Sequence, residues 1–198
     1  MPGINISRAE ALERSSHLIV ASYDVTIDVT NGEETFIAKT IVKFACNKPG
    51  YDTFVDAVGK RIISATLNGN AVDVSNFDGE SVFLKNLAAS NELVLEIEAI
   101  YSKSGEGLQR SVDPVDNEVY LYSQGETAFI RHMFPCFDQP SLKATFNLTV
   151  TTPGHWEAVS NNPVESKVAK GDLAEWKFST TPRITTYLDC LIAGPYSH

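Results

Sequence analysis

Cysteine, histidine and basic side chains are all scarce in this 198-residue sequence. The three cysteines, Cys46, Cys136 and Cys190, share no C-x-x-C spacing, which excludes a zinc knuckle and a thioredoxin-like redox pair. Their odd number and wide separation read as buried, reduced thiols. The four histidines, His17, His132, His155 and His198, are never three to five apart, so no local His-x₃-His metal site is written in the chain. Sixteen Lys+Arg against 25 Asp+Glu leave a net charge of −9. That balance lacks the basic patch a phosphate backbone demands, so no nucleic-acid partner is expected. No run approaches the ~18 apolar residues of a membrane span, and no membrane partner is expected either. The opening Met1-Pro2-Gly3-Ile4-Asn5 has neither the basic nor the apolar region of a signal peptide. A soluble, cytoplasmic location is the expectation.

What the chain does have is apolar patterning. An apolar share of 43% suits a globular fold, and the length suits one domain. Ser7 and Glu10 stand at capping-box spacing before Ala11 and Leu12, which predicts a short N-terminal helix. Period-two alternation follows. Tyr23, Val25, Ile27 and Val29 share one face, Asn31-Gly32 supplies a hairpin turn, and Phe36, Ala38, Thr40, Val42 and Phe44 share a face on the return. Further strands are predicted over 62–67, stopped by Asn68-Gly69, over 81–84 after Asp78-Gly79, and over 93–100. Others are expected over 118–123, 144–151, 156–160, 174–179 and 185–193, with 109–117 a surface loop. The predicted fold class is all-β: a sandwich or saddle-like mixed β-sheet domain with a short N-terminal helix. Trp156 and Trp176 sit in strand patterns and are expected in the core.

Residues 124–140 follow neither period. Pro135 and Pro140 flank an aromatic-Cys-aromatic-Asp sequence, so the backbone there is extended or turning. Read from its residues alone, the segment plugs the core: Phe134 and Phe137 are buried, and Arg131 neutralises Asp138. Gln124 and Glu126 are then ordinary polar loop residues.

The same segment resembles the signature of the aminopeptidase N family of zinc metallopeptidases. In that family's N-terminal domain Gln-x-Glu precedes an Arg and then Phe-Pro-Cys-Phe-Asp-Glu-Pro-x-x-Lys-Ala-x-Phe. The matching residues are Gln124, Glu126, Arg131, Phe134, Pro135, Cys136, Phe137, Asp138, Pro140, Lys143, Ala144 and Phe146, in register without a gap. The strand Trp156-Glu157-Ala158-Val159-Ser160-Asn161 and the stretches Thr181-Pro182, Thr186-Tyr187-Leu188 and Ala193-Gly194-Pro195-Tyr196 resemble the family as well. Departures are Gln139 in place of a usual Glu, Gly125 where larger residues are common, and an apolar Thr127-Ala128-Phe129-Ile130.

The resemblance implies that residues 1–198 form the N-terminal β-domain of a zinc aminopeptidase that removes N-terminal residues from peptides. It implies that Glu126 binds the substrate α-amine, that Gln124 shapes the first side-chain pocket, and that a cis peptide joins Glu126 to Thr127. Arg131, Phe134, Pro135, Asp138 and Pro140 are then the structural motif. Gly-x-Met-Glu-Asn and His-Glu-x-x-His do not occur in the sequence. The implied zinc, its ligands and the catalytic base therefore belong to a catalytic domain outside this chain, which by itself binds no cofactor and is expected to be inactive. The partners implied are peptide N-termini and that catalytic domain, with an apolar face around 124–137 as the expected contact. The alternative from a different class is a standalone β-sandwich binding module for protein or glycan partners, presenting parallel exposed aromatic faces.

Overall fold

Ser7 begins the first element of the computed structural model, which describes residues 6–196. The opening pentapeptide read above for targeting lies outside the described residues. The Ser7 side chain accepts from the Glu10 amide at 3.2 Å, while the Ser7 amide donates to Glu10 Oε2 at 2.8 Å. This reciprocal cap starts helix α1, Arg8–His17. Among the described residues no helix is long and apolar enough to cross a membrane.

Strands β1 (Leu18–Asp28), β2 (Thr35–Cys46), β3 (Thr53–Asp56), β4 (Arg61–Leu67), β5 (Asn70–Ala71), β6 (Ser81–Leu84) and β7 (Ser90–Ile100) make up the first half. The second half carries β8 (Gly107–Val112), β9 (Val119–Gln124), β10 (Thr145–Pro153), β11 (Glu157–Ser160), β12 (Val164–Lys170), β13 (Leu173–Phe178) and β14 (Leu191–Gly194). Eight of them form a sheet in the order β12-β13-β10-β1-β2-β7-β4-β5. It is mixed: β1 runs parallel to β10, and its other pairs are antiparallel. A four-stranded sheet β11-β14-β9-β8 and a two-stranded sheet β3-β6 complete the predominantly β fold.

The alternating faces read from sequence are the buried faces. Tyr23, Val25, Ile27 and Val29 from β1 and its end, Phe36 to Phe44 from β2, and Leu93 to Ala99 from β7 pack together with Trp156 and Trp176 in the core. Asn68 and Gly69 adopt positive φ of 53° and 78° and close the β4-β5 hairpin as a two-residue turn.

Four local expectations differ. The β1-β2 connection runs from residue 29 to 34, longer than a two-residue turn, because the last pair, Asp28 with Ile37, leaves eight residues between its partners. The stretch 109–117 is not all loop: Gly107–Val112 is β8, paired along its length with β9, which supplies the apolar partner its own sequence lacks. Strand β12 is exposed at every position, so it has no apolar alternation to betray it. It is held by main-chain pairing to β13 and by Lys167 stacked 4.0 Å from the Trp176 ring. Finally, 185–193 is a 3₁₀ turn, Thr186–Leu188, followed by the shorter β14.

The segment 124–140 enters the centre. Phe134, Cys136 and Phe137 are fully buried, and Cys136 exchanges two backbone hydrogen bonds with Asp56 at 2.9 Å each. The Phe137 amide donates to the Tyr23 hydroxyl at 3.1 Å. Around Asp56 four buried charges meet. Arg14 of α1 approaches Asp56 at 3.3 Å, Arg131 approaches it at 3.2 Å, and Arg131 also pairs with Asp138 at 3.4 Å. Two positive and two negative groups cancel, which makes their burial tolerable. Gln139 accepts from Arg14 Nε at 3.0 Å and donates to the Ala11 carbonyl at 2.8 Å. The neutral amide thus ties the helix down in a place where a carboxylate could only accept.

Removing one member leaves the others uncompensated. Asp56→Ala takes the carboxylate from Arg14, leaves two buried guanidinium groups to the single Asp138, and should lower unfolding free energy by about 3–5 kcal/mol, read from urea midpoints at constant slope. Glu92→Ala, which breaks the exposed 4.0 Å pair with Lys43, should change it little.

Candidate functional site

Strand β9 ends at Gln124, and the chain turns through Gly125 and Glu126 before a 3₁₀ turn, Ile130–His132. Gln124 and Glu126 are both exposed, whereas Gly125 between them is buried. A Cβ on Gly125 would stand 2.6 Å and 2.7 Å from the Ile130 side chain and 2.8 Å from the Tyr187 carbonyl. Ile130 and the 187 backbone therefore fill the space that a larger residue would need, which accounts for glycine here. The alternation buried-in, exposed-out pushes the two polar side chains toward solvent on either side of an anchored backbone.

Local hydrogen bonds hold that shape. Gln124 Nε2 donates to the Glu126 carbonyl at 3.2 Å, and the Phe129 amide donates to the Gly125 carbonyl at 2.9 Å. The Glu126–Thr127 peptide bond is cis. The Glu126 carboxylate carries no hydrogen bond or ion pair within the described residues and is open to a ligand. A surface concavity of about 570 Å³ lies between the Asn68–Asn70 hairpin and β6, and no residue of 124–140 lines it.

Behind the segment lies the motif. Arg131 donates from its amide to Asp138 Oδ2 at 3.1 Å, and Thr186 Oγ1 donates to Asp138 Oδ1 at 2.7 Å. Burial raises the Asp138 carboxyl pKa, and the Thr186 hydrogen bond and Arg131 oppose that rise. Burial, reinforced by Asp138 and Asp56, pushes the Cys136 thiol well above its ordinary value, so it is no nucleophile. Pro135 and Pro140 bracket this buried run, and Phe134 lies against Phe146 at 6.3 Å between ring centroids. The structure thus places Arg131, Phe134 and Asp138 in the interior and Gln124 and Glu126 at the surface, one segment serving both.

The apolar face expected around 124–137 is reduced to the half-buried Ala128 and Phe129, which line a concavity with Phe54 and Val58, because Ile130, Met133, Phe134 and Phe137 are all buried. The exposed apolar row lies instead on the four-stranded sheet, where Val159 pairs with Ile192 and Ile192 with Tyr122. These three are 57%, 40% and 44% exposed, and Tyr122 precedes Gln124 by two residues on the same strand face. The two tryptophans are buried, and Tyr120 meets Tyr196 edge-on at 69° rather than in parallel. Among the described residues no group of three or more His, Cys, Asp or Glu is placed to hold a metal ion, so this part of the chain does not fit a zinc site.

One residue escaped sequence reading. Asp189 is buried, and among the described residues neither carboxylate oxygen has a hydrogen-bond partner. Burial pushes its pKa up to about 7, opposed by the neighbouring Cys190 amide, which itself donates to Asn161 at 2.9 Å. Its one signal was an acid inside the otherwise apolar Leu188-Asp189-Cys190-Leu191-Ile192 run.

Asp189 makes stability depend on pH. A folded-state pKa raised from 3.8 to about 7 means that the folded protein holds the proton more tightly. Stability from this group is therefore full below pH 4 and is lost as pH rises toward 7. The loss approaches about 4 kcal/mol at most. Asp189→Asn should raise the urea midpoint at pH 8 and change it much less at pH 5.

Residues 20–188 match the family described as the Peptidase M1 N-terminal domain. Over 200 residues the chain is 39% identical to aminopeptidase N of Streptomyces lividans, an alignment covering 99% of this chain and 23% of that protein. It is 28% identical over 187 residues to aminopeptidase N of Acetobacter pasteurianus, covering 89% of this chain and 53% of the other. To aminopeptidase Q of Homo sapiens it is 38% identical over 118 residues, covering 56% of this chain and 12% of the other. The chain thus spans about a quarter of the first relative and about half of the second.

Proposed function

Because the chain belongs to the Peptidase M1 N-terminal domain family, we propose that it is the substrate-anchoring N-terminal domain of a zinc aminopeptidase. In this reading Glu126 binds the α-ammonium of a peptide and Gln124 bounds the space for its first side chain. The observation that carries it is the Glu126 carboxylate, exposed and unpartnered on a backbone that Gly125, Ile130 and Tyr187 hold from below. An α-amine with a pKa of roughly 8 is largely protonated at neutral pH. A carboxylate accepting from it makes a charge-assisted hydrogen bond, stronger where water is excluded, and fixes the distance from the amine to the scissile bond. Gln124 adds a neutral donor and acceptor beside that charge.

Gln124 and Glu126 stand on an open surface, so the other walls of the site come from elsewhere. The row Tyr122, Ile192 and Val159, continuous with Gln124 along the sheet, is the face we assign to the catalytic domain. Zinc held by that domain would activate the attacking water. This chain's own residues bind and orient the peptide N-terminus, and the isolated chain is inactive. A glycan-binding module would need stacked exposed aromatic faces, which the buried tryptophans and the edge-on Tyr120–Tyr196 pair do not offer.

Glu126→Gln in the full-length protein keeps the shape and removes the charge. It should lower kcat/KM for alanine 4-nitroanilide about 30-fold or more, as loss of a desolvated charge pair does. Kinetics within twofold of the unmodified enzyme would sink the anchoring role.

A further inference from the structure

Asp189 sits between two contacts to the substrate-facing segment. Two residues before it, the Tyr187 carbonyl lies in the space that a Gly125 side chain would take. Two residues after it, the Leu191 amide donates to Ser123 Oγ at 2.8 Å. Beyond Leu191, Ile192 pairs with Tyr122 and Ala193 with Leu121. A buried carboxyl with no hydrogen-bond partner on either oxygen among the described residues thus sits between the two contacts that hold the backbone presenting Gln124 and Glu126.

The surroundings leave it unneutralised. Its own element brings Cys190, the group whose titration senses its charge, and Tyr187. The segment packed on one side brings Ser123 and Gly125, both uncharged, with Glu126 exposed beyond them. Thr186 leads on the other side to Asp138, already paired with Arg131. The end of β11 brings the uncharged Ser160 and Asn161, both engaged with the 188–190 backbone. Among the described residues no cation faces Asp189, so an ionised carboxylate there gains stability only by moving toward water, and the turn that carries it would move too.

We propose that Asp189 is a proton-controlled positioning residue: neutral, it lets the 186–191 turn support Gly125, and ionised, it loosens that support and weakens capture of a peptide N-terminus. This rests on the anchoring role of Glu126. The protonated form is silent packing, so the device acts through KM while bond cleavage, carried out elsewhere, keeps its kcat.

The test is the pH profile of KM and kcat for alanine 4-nitroanilide in the full-length enzyme. Between pH 6 and 7.5, below the titration of the substrate amine, the KM of the unmodified enzyme should rise about threefold or more, with kcat nearly level. Asp189→Asn should flatten this limb and leave the later one set by the substrate amine. Coincident profiles, or a KM that falls with pH, overturn the proposal. Hydrogen exchange of the Gly125 and Leu191 amides gives an independent reading in the unmodified protein. After correction for intrinsic rates, protection should drop between pH 6 and 8, and unchanged protection also overturns it. If Glu126→Gln leaves KM unaltered while protection still drops, the anchoring role fails and the proton-controlled support of Gly125 stands.

Discussion

The fold turns on a neutral cluster of four buried charges. Arg14, Asp56, Arg131 and Asp138 come from a helix, a short strand and an irregular segment far apart in sequence. Each alone would be expensive to bury, and together they cancel. That mutual need fixes where α1 lies on β3 and how deep the 124–140 segment enters. Asp56 is the hub: its side chain meets both guanidinium groups and the Asp138 amide, and its backbone pairs with Cys136. Phe134 and Phe137 fill the apolar space beside it, so charge pairing and close packing specify one arrangement.

From that anchored interior the chain rises to the surface in a few residues. Arg131 is held by the cluster, Ile130 is buried against Gly125, and Glu126 is left projecting outward. The exposed carboxylate owes its fixed position to the buried arginine five residues on. Such economy suits a site whose task is to hold one end of a substrate, since a rigid support turns binding into orientation. Asp189 qualifies that rigidity. It places a buried acid without a hydrogen-bond partner among the described residues between the contacts that hold the same backbone.

Much of this was legible before the structure. The capping box of Ser7 and Glu10, the buried faces of β1, β2 and β7, the Asn68-Gly69 turn and the core tryptophans all follow from local chemistry. The Gln124 to Phe146 pattern also picked out the segment that carries both the buried motif and the exposed pair. What failed to show were elements whose stability is borrowed. β8 lacks apolar alternation and is ordered by β9. β12 is exposed throughout and is held by main-chain bonds and Lys167 stacked on Trp176. The apolar surface was expected along 124–137 because its aromatics are dense there, yet the interior claimed most of them, and the exposed row fell on Val159, Ile192 and Tyr122.

Sequence alone determined the β-rich class, the helix start, the family resemblance and the residues worth watching, because periodicity, caps and fixed-spacing motifs are written locally. Only the tertiary structure decided that Arg14 and Asp56 join the motif, that Gly125 is glycine because Ile130 and Tyr187 occupy its side-chain space, and that Asp189 is buried without a hydrogen-bond partner among the described residues. Those facts depend on which distant groups share a volume from which water is excluded, and charge, packing and protonation are settled there rather than along the chain.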